Sequence, residues 1–426
     1  MTDTLFRAGV IPPSPLRFWR QTRLPALGSK ALGTCVWIWI FSGGLIFFEP
    51  SLYEFLFMAV LCVAAMARMP LFVSTTPLFF LLFPFSVSAL IAGLQVRYGS
   101  PLGGFVYIAV TIYLLLTAFF VANFIAGEPE RHIKIIRRAY LWIAMVSATI
   151  GVLAYLGLLP SADLFLLHGR ARAMFKDPNV YGPFLVLPAM FLLRDLFFEQ
   201  RSRLLNGALL LMLTVGVFVS FSRAAWGHLA VSGLLVFAMC FWLEAKAAFK
   251  VRMLVLALVG TLVLAITFVG LLSIPEVASL FEQRASMSQS YDTGSTGRFG
   301  RQGYAFDLAL THPWGLGPGE FRHLRIQEDP HNTYVNVLHA YGWGGGFCYY
   351  LLVFFTLWRG IVGMKNPAIR GALIPVMAVY VPLVIQAGII DTDHWRHYFL
   401  VVGLIWGLTA NTAIFGLRLP VRRRLR

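Results

Sequence analysis

Apolar residues run along this chain in blocks of roughly 15–25, separated by brief polar interruptions, which is the pattern of helices that cross a bilayer. The blocks fall at 31–49, 51–67, 70–95, 103–126, 139–159, 180–193, 204–221, 225–243, 253–273, 334–357, 371–390 and 398–415. They predict an all-α fold, a polytopic membrane helix bundle of about twelve transmembrane helices forming one membrane domain over residues 1–426. Interruptions such as Glu49-Pro50 and Arg97–Pro101 are short, so neighbouring helices are expected to pack as a single bundle.

Two interruptions are too long to be simple turns, Pro160–Asn179 and the stretch 274–333. Loops beyond ~12–15 residues usually carry function or structure of their own. Within 274–333, Pro275–Arg284 has Pro and Glu in its first turn and apolar residues at helical spacing, predicting a short helix. Ser286–Gly297 is Ser- and Gly-rich and is expected to be mobile. Arg301–Thr311 predicts a second helix, stopped by His312-Pro313 and the Gly315–Gly319 turn. The late part of this loop, Thr293–Tyr334, is a polar island of Arg, His and Gly turns in an otherwise apolar chain, which marks it as the expected seat of chemistry.

Composition agrees with the membrane reading: 58% of residues are hydrophobic and 13% charged, with a mean hydropathy of +0.73. The net charge of +16 comes mostly from short flanks. These include Arg7, Arg17, Arg20, Arg23 and Lys30; Arg131, Lys134, Arg137 and Arg138; Arg194, Arg201 and Arg203; Lys246, Lys250 and Arg252; Arg359, Lys365 and Arg370; and the tail from Arg418 to Arg426. With an even number of spans these fall on one side, so both termini are read as cytoplasmic and the loop 274–333 as periplasmic. Anionic headgroups then account for the charge, and nucleic acid is not an expected partner. The first apolar block lacks a cleavage pattern and reads as a permanent span. The cysteines Cys35, Cys62, Cys240 and Cys348 lie in apolar blocks without metal-ligand spacing and read as small buried residues.

On the presumed outer side, Arg170 and Arg172 precede Asp177-Pro178-Asn179, a helix entry in which Asp or Asn serves as cap. A solvated loop is the plain structural role for those arginines. Arg223, at the end of the block beginning near Leu204, is expensive so near hydrocarbon unless it snorkels outward or meets an anion. Arg298 and Arg301 add further guanidinium groups, whose planar forks pair bidentately with phosphate oxygens. His331, followed by Asn332 and Tyr334, stands where the chain re-enters the membrane, and an imidazole there is a candidate for proton transfer. His312 and His323 are weaker candidates, and His339 is expected to make a structural hydrogen bond inside a helix. Asp391-Thr392-Asp393 with His394, Arg396 and His397 forms a second outer cluster. It reads either as a weak divalent-metal motif or as acids paired with arginines.

From Arg170 onward the chain resembles the bacterial O-antigen ligase and polymerase superfamily. The resemblance rests on Arg170-x-Arg172-x-x-Phe175-x-Asp177-Pro178-Asn179, Ser222-Arg223, Gly297-Arg298, Pro313-x-Gly315-x-Gly317 and His331-Asn332-x-Tyr334, taken in that order. It implies transfer of an undecaprenyl-pyrophosphate-linked glycan to an acceptor sugar hydroxyl, on lipid A core or a growing glycan. The reaction would take place at the periplasmic face of the inner membrane, with no metal, cofactor or nucleotide sugar. His331 would be the general base, and Arg170 or Arg172, Arg223 and Arg298 the pyrophosphate ligands, with Asn179, Arg301, Asn332 and Tyr334 in support. Gln302 and Ala340 depart from the family pattern, where an aromatic and an acid are common, which leaves the acceptor open. Ligase and polymerase share this donor chemistry, the former being slightly preferred; a lipid-linked-sugar transporter is the alternative of a different class, disfavoured because polar residues gather in outer loops rather than at midspan.

Overall fold

In a computed structural model, residues 26–47, 50–199, 202–285, 294, 297–324 and 328–412 are described. The cationic flanks before Ala26 and after Thr412, Arg201, and most of the Ser286–Gly297 stretch, including Thr293, lie outside the described residues. Every apolar block holds a helix. In chain order the helices are α1 (Ala26–Ser42), α2 (Leu52–Met66), α3 (Thr76–Gly93), α4 (Pro101–Gly127), α5 (Pro129–Tyr155), α6 (Pro178–Phe184), α7 (Val186–Phe198) and α8 (Arg203–Val219). They continue with α9 (Arg223–Met239), α10 (Ala247–Leu272), α11 (Pro275–Ala285), α12 (Arg298–Thr311), α13 (Phe321–Leu324), α14 (Thr333–Gly363), α15 (Pro367–Gln386) and α16 (Arg396–Thr409). Among the described residues the strands are a two-residue antiparallel pair, Leu166–Leu167 with Arg170–Ala171.

Among the described residues, eight helices are long and apolar enough to cross a membrane, α6 and α7 counting as one continuous segment, whereas α2 and α8 are shorter apolar helices. The expectation of about twelve spans thus meets eight helices of spanning length. Helix starts follow the sequence: Ser51, Ser100, Asp177, Ser222, Asn332 and Asn366 each accept a backbone N–H as N-caps, and Pro101, Pro178 and Pro367 occupy first turns.

The bundle packs through small residues, as lipid-embedded helices must when lipid competes equally for apolar contact. Gly403 and Gly407 of α16 lie against α4 so closely that an added Cβ would stand 2.7 Å from the Ala118 and Ala122 carbonyl oxygens. Beside Gly407, Arg359 of α14 is buried. It donates to Thr409 Oγ1 at 3.1 Å and to the Ser74 carbonyl at 3.0 Å, and stacks on Trp406. Helix α10 is the contrast: Met253 is its one fully buried residue, and much of its apolar surface, including Leu258, Leu262 and Ile266, is exposed.

Helix α14 is not continuous. Gly342 has φ +76° and ψ −178°, which interrupts the helix, and the turn after α12 fills the gap. Leu316 and Gly317 donate their N–H groups to the His339 and Ala340 carbonyls at 2.8 and 3.2 Å, and Trp343 donates to the Pro313 carbonyl at 2.9 Å. The turn therefore supplies partners for peptide groups that the break sets free, as an irregular segment at membrane depth requires. Contact is backbone to backbone, since a Cβ on Gly315 would stand 2.7 Å from the Gly342 nitrogen. The turn then leads to buried Glu320, whose carboxylate accepts from Tyr98 N and Gly99 N at the α3–α4 junction.

Gly342→Ala places a side chain 2.5 Å from the Pro313 carbonyl in left-handed backbone. It is expected to cost about 1–3 kcal/mol, read as a lowered thermal midpoint in detergent. Gly227→Ala, whose Cβ meets nothing within 4 Å inside α9, is expected to leave that midpoint unchanged or raise it slightly.

Candidate active site

The residues singled out from the sequence gather in two groups at helix ends. In the first, the turn His168-Gly169, both with positive φ, folds the short strand pair and presents Arg170. Arg170 donates from Nε to the Ser220 carbonyl at 2.9 Å and from Nη2 to Asn179 Oδ1 at 2.9 Å. Asp177, not Asn179, caps α6, its carboxylate accepting the Asn179 N–H at 2.6 Å, so the Asn179 amide is available to Arg170. Ser220 and the left-handed Phe221 turn the chain from α8 into α9, Ser222 caps α9, and Arg223 is its first residue. Arg170, Asn179 and Arg223 thus converge on one turn. Arg172 points its Nη groups to carbonyls of its own loop, Leu164 at 3.2 Å and Lys176 at 3.5 Å.

The second group is built on α12. This helix begins three residues before the expected Arg301, with Gly297 as its N-cap, which places Arg298 inside its first turn. Arg301 is buried and its guanidinium pairs with Glu328. Gln302, one turn along from Arg298 on the same face, donates to the His331 carbonyl at 3.2 Å and accepts from Asn332 Nδ2 at 3.4 Å. These bonds hold His331 in left-handed backbone, φ +53°. Asn332 then caps α14, its Oδ1 accepting from Tyr334 N and Val335 N, and the Tyr334 hydroxyl donates to the Val384 carbonyl at 2.7 Å.

Thr333 clasps this helix start to the α15–α16 turn. Its N–H donates to the Ala387 carbonyl at 2.8 Å, its hydroxyl donates to the Ile390 carbonyl at 3.0 Å, and its oxygen accepts from Thr392 N at 2.7 Å. The clasp sets Asp391 Oδ2 3.2 Å from His331 Nδ1. Burial pushes the Asp391 carboxyl above the usual carboxylate range, while the His331 hydrogen bond opposes that shift. His331 keeps 38% of its side chain exposed. A carboxylate on Nδ1 and an accessible remainder of the ring fix the tautomer that leaves Nε2 free to accept a proton.

The acids of the Asp391–Asp393 motif are engaged separately. Asp393 is buried, its Oδ2 accepting from Asn336 Nδ2 at 3.3 Å and facing His394 Nδ1 at 3.3 Å, and His394 Nε2 meets Thr111 Oγ1 at 2.9 Å. Arg396 pairs with Glu54 at 2.7 Å. His339 is buried beside Phe321, and neither ring nitrogen finds a hydrogen-bond partner among the described residues, so the structural hydrogen bond expected for it is not made. His312 Nδ1 lies 2.9 Å from the Leu308 carbonyl. Asp391 and Gln302 are the members of the site that sequence reasoning passed over. The motif around Asp391 was visible, but its partner was not.

Thr333→Val keeps the shape but strips the clasp from two buried backbone groups, at an expected cost of about 1–3 kcal/mol. Faster amide hydrogen exchange across 389–393 is the expected signature, and Thr333→Ser is expected to restore protection.

A search of curated proteins finds no match to the chain. The family model described as O-Antigen ligase matches residues 207–350, a segment that runs from α8 through the break in α14 and includes Arg223, Arg298 and His331. Over those residues the chain is similar to the O-antigen ligases and polymerases.

Proposed function

We propose that this protein transfers an undecaprenyl-pyrophosphate-linked glycan to an acceptor sugar hydroxyl at the periplasmic face of the bacterial inner membrane, as an O-antigen ligase. The observation that carries this reading is the His331–Asp391 pair, at 3.2 Å, closing a loop that also bears Arg298. Asp391 accepts the Nδ1 proton, and Nε2 takes the proton from the acceptor hydroxyl as its oxygen attacks the anomeric carbon. The anomeric carbon–oxygen bond to the diphosphate breaks, the diphosphate leaves with the bonding electrons, and a single displacement inverts the anomeric centre. Charge accumulates on the diphosphate as that bond breaks, and guanidinium groups already fixed in place stabilise it without reorganising. Arg170, Arg223 and Arg298 are assigned that role; Arg170 is preferred to Arg172 because it joins the turn that carries Arg223. Asn179 orients Arg170, while Arg301, Asn332 and Tyr334 hold the His331 turn. The site is assigned no metal or cofactor. The polymerase reading uses the same donor chemistry and differs in the acceptor.

His331→Ala is expected to lower transfer by about 10²–10⁴-fold and to abolish long glycan ladders in cells while the protein still reaches the membrane. Asp391→Ala is expected to lower it by about 10-fold or more, and to add little in the His331→Ala background, because the two residues act as a unit. Independent, multiplying losses would sink the pairing. At Arg223 and Arg298, lysine is expected to rescue alanine poorly, since an ammonium lacks the bidentate fork; near-complete rescue would count against diphosphate binding there. Deleting the gene is expected to abolish glycan attachment altogether. Single repeats left on the acceptor would instead indicate the polymerase.

A further inference from the structure

Helix α12 carries three rows of residues, and only one is explained by the site. Arg301, Ala305 and Ala309 recur every four residues and are buried against the bundle. A second row, Asp307 and Thr311, also four residues apart, is exposed. Between them lies a third row, Phe299, Phe306 and Leu310, exposed by 61%, 46% and 54% and continued by Trp314 at 66%. An amphipathic helix with one face on its own protein should have a polar remainder in water. Here the remainder is itself divided, apolar on one side and polar on the other.

The apolar row joins a surface of the same kind. Trp343, just past the break in α14, donates from its indole nitrogen to the Ala309 carbonyl at 2.8 Å, which links the end of α12 to α14. From Trp343 an exposed stripe runs down α14 through Phe347, Phe354 and Ile361 at helical spacing. On a helix of spanning length such a stripe faces acyl chains. Trp314 and Trp343 stand where the two exposed rows meet, and tryptophan is enriched at the boundary between hydrocarbon and headgroups.

We propose that α12 is an interfacial helix seated in the membrane leaflet on the His331 side, with Phe299, Phe306 and Leu310 among phospholipid acyl chains and Asp307 and Thr311 toward water. Its occupant is the phospholipid surface itself, because the row is continuous with the α14 stripe and bordered by indoles. Such helices bury their apolar face about 5–10 Å into the headgroup boundary. The seat holds the first turn of α12, and with it Arg298, at headgroup depth. There a lipid-linked diphosphate presents its charge, a consequence that rests on the proposed transfer reaction, whereas the seat itself does not.

The test places p-benzoyl-phenylalanine at 306 or 310, and separately at 307 or 311, in the full chain reconstituted into nanodiscs of phosphatidylethanolamine and phosphatidylglycerol. After irradiation, intact mass is expected to show phospholipid adducts several-fold more abundant from 306 and 310 than from 307 and 311. Equal adducts from both rows, or a cross-linked dimer from 306 and 310, would overturn the seat. In the unmodified chain, a phospholipid with a diazirine in its acyl chain is expected to label peptide 298–311 at Phe299, Phe306 or Leu310; labelling confined to other helices would contradict it. Neither readout depends on glycan transfer, so its outcome separates the seat from the reaction.

Discussion

A helix buried in a bundle cannot be broken without new partners for the peptide groups the break releases, and this constraint organises the candidate site. The interruption at Gly342 leaves the His339 and Ala340 carbonyls and the Trp343 N–H without helical partners, and the Pro313–Gly317 turn supplies them. Because the contact is backbone to backbone, it specifies position closely and tolerates no side chain at Gly315 or Gly342. It anchors the C-terminal end of α12 against the middle of α14. At the other end of the same half-helix, Gln302 holds the His331 carbonyl and Asn332 caps α14. The loop is thus tied to the outer half of α14 at both ends, and His331 stands at the upper tie.

Positioning His331 alone would not orient its ring. That task falls to the α15–α16 turn, which Thr333 clasps through a buried set of hydrogen bonds, bringing Asp391 to Nδ1. The arginines are placed by different means: Arg170 is held across the α8–α9 turn by the Ser220 carbonyl, and Arg298 rides on α12. In the proposed reaction, the base and the cradle for the leaving group therefore belong to separate helix ends of one bundle. A small change in helix packing would move one relative to the other.

Much of this was legible in the sequence because local chemistry dictates it. Apolar blocks gave helices, the two loop helices appeared near where turn signals and spacing placed them, the second starting at Arg298 rather than Arg301, and Ser222 and Asn332 capped as their residue types predict. The span number was less legible, since a short helix such as α2 has the apolar composition of a span without its length. The break in α14 was hidden because Tyr341-Gly342-Trp343 lies in a run that reads as uninterrupted hydrophobic helix; only the positive φ of Gly342 marks it. Asp391 was misleading in a different way. Asp-x-Asp suggests a cation at short range, whereas its partner is a histidine distant in sequence, and nothing local encodes that pairing.

The central claim is a single displacement in which His331 deprotonates the acceptor while fixed arginines receive the diphosphate. Stereochemistry tests it most directly. Purified protein in nanodiscs would be given an undecaprenyl-pyrophosphate-linked glycan of defined anomeric configuration and a lipid A core acceptor, with the new linkage assigned by NMR and the released lipid measured in parallel. The account predicts an inverted linkage and one undecaprenyl pyrophosphate released for each bond formed. A retained configuration, or lipid release without a new glycosidic bond, would contradict it.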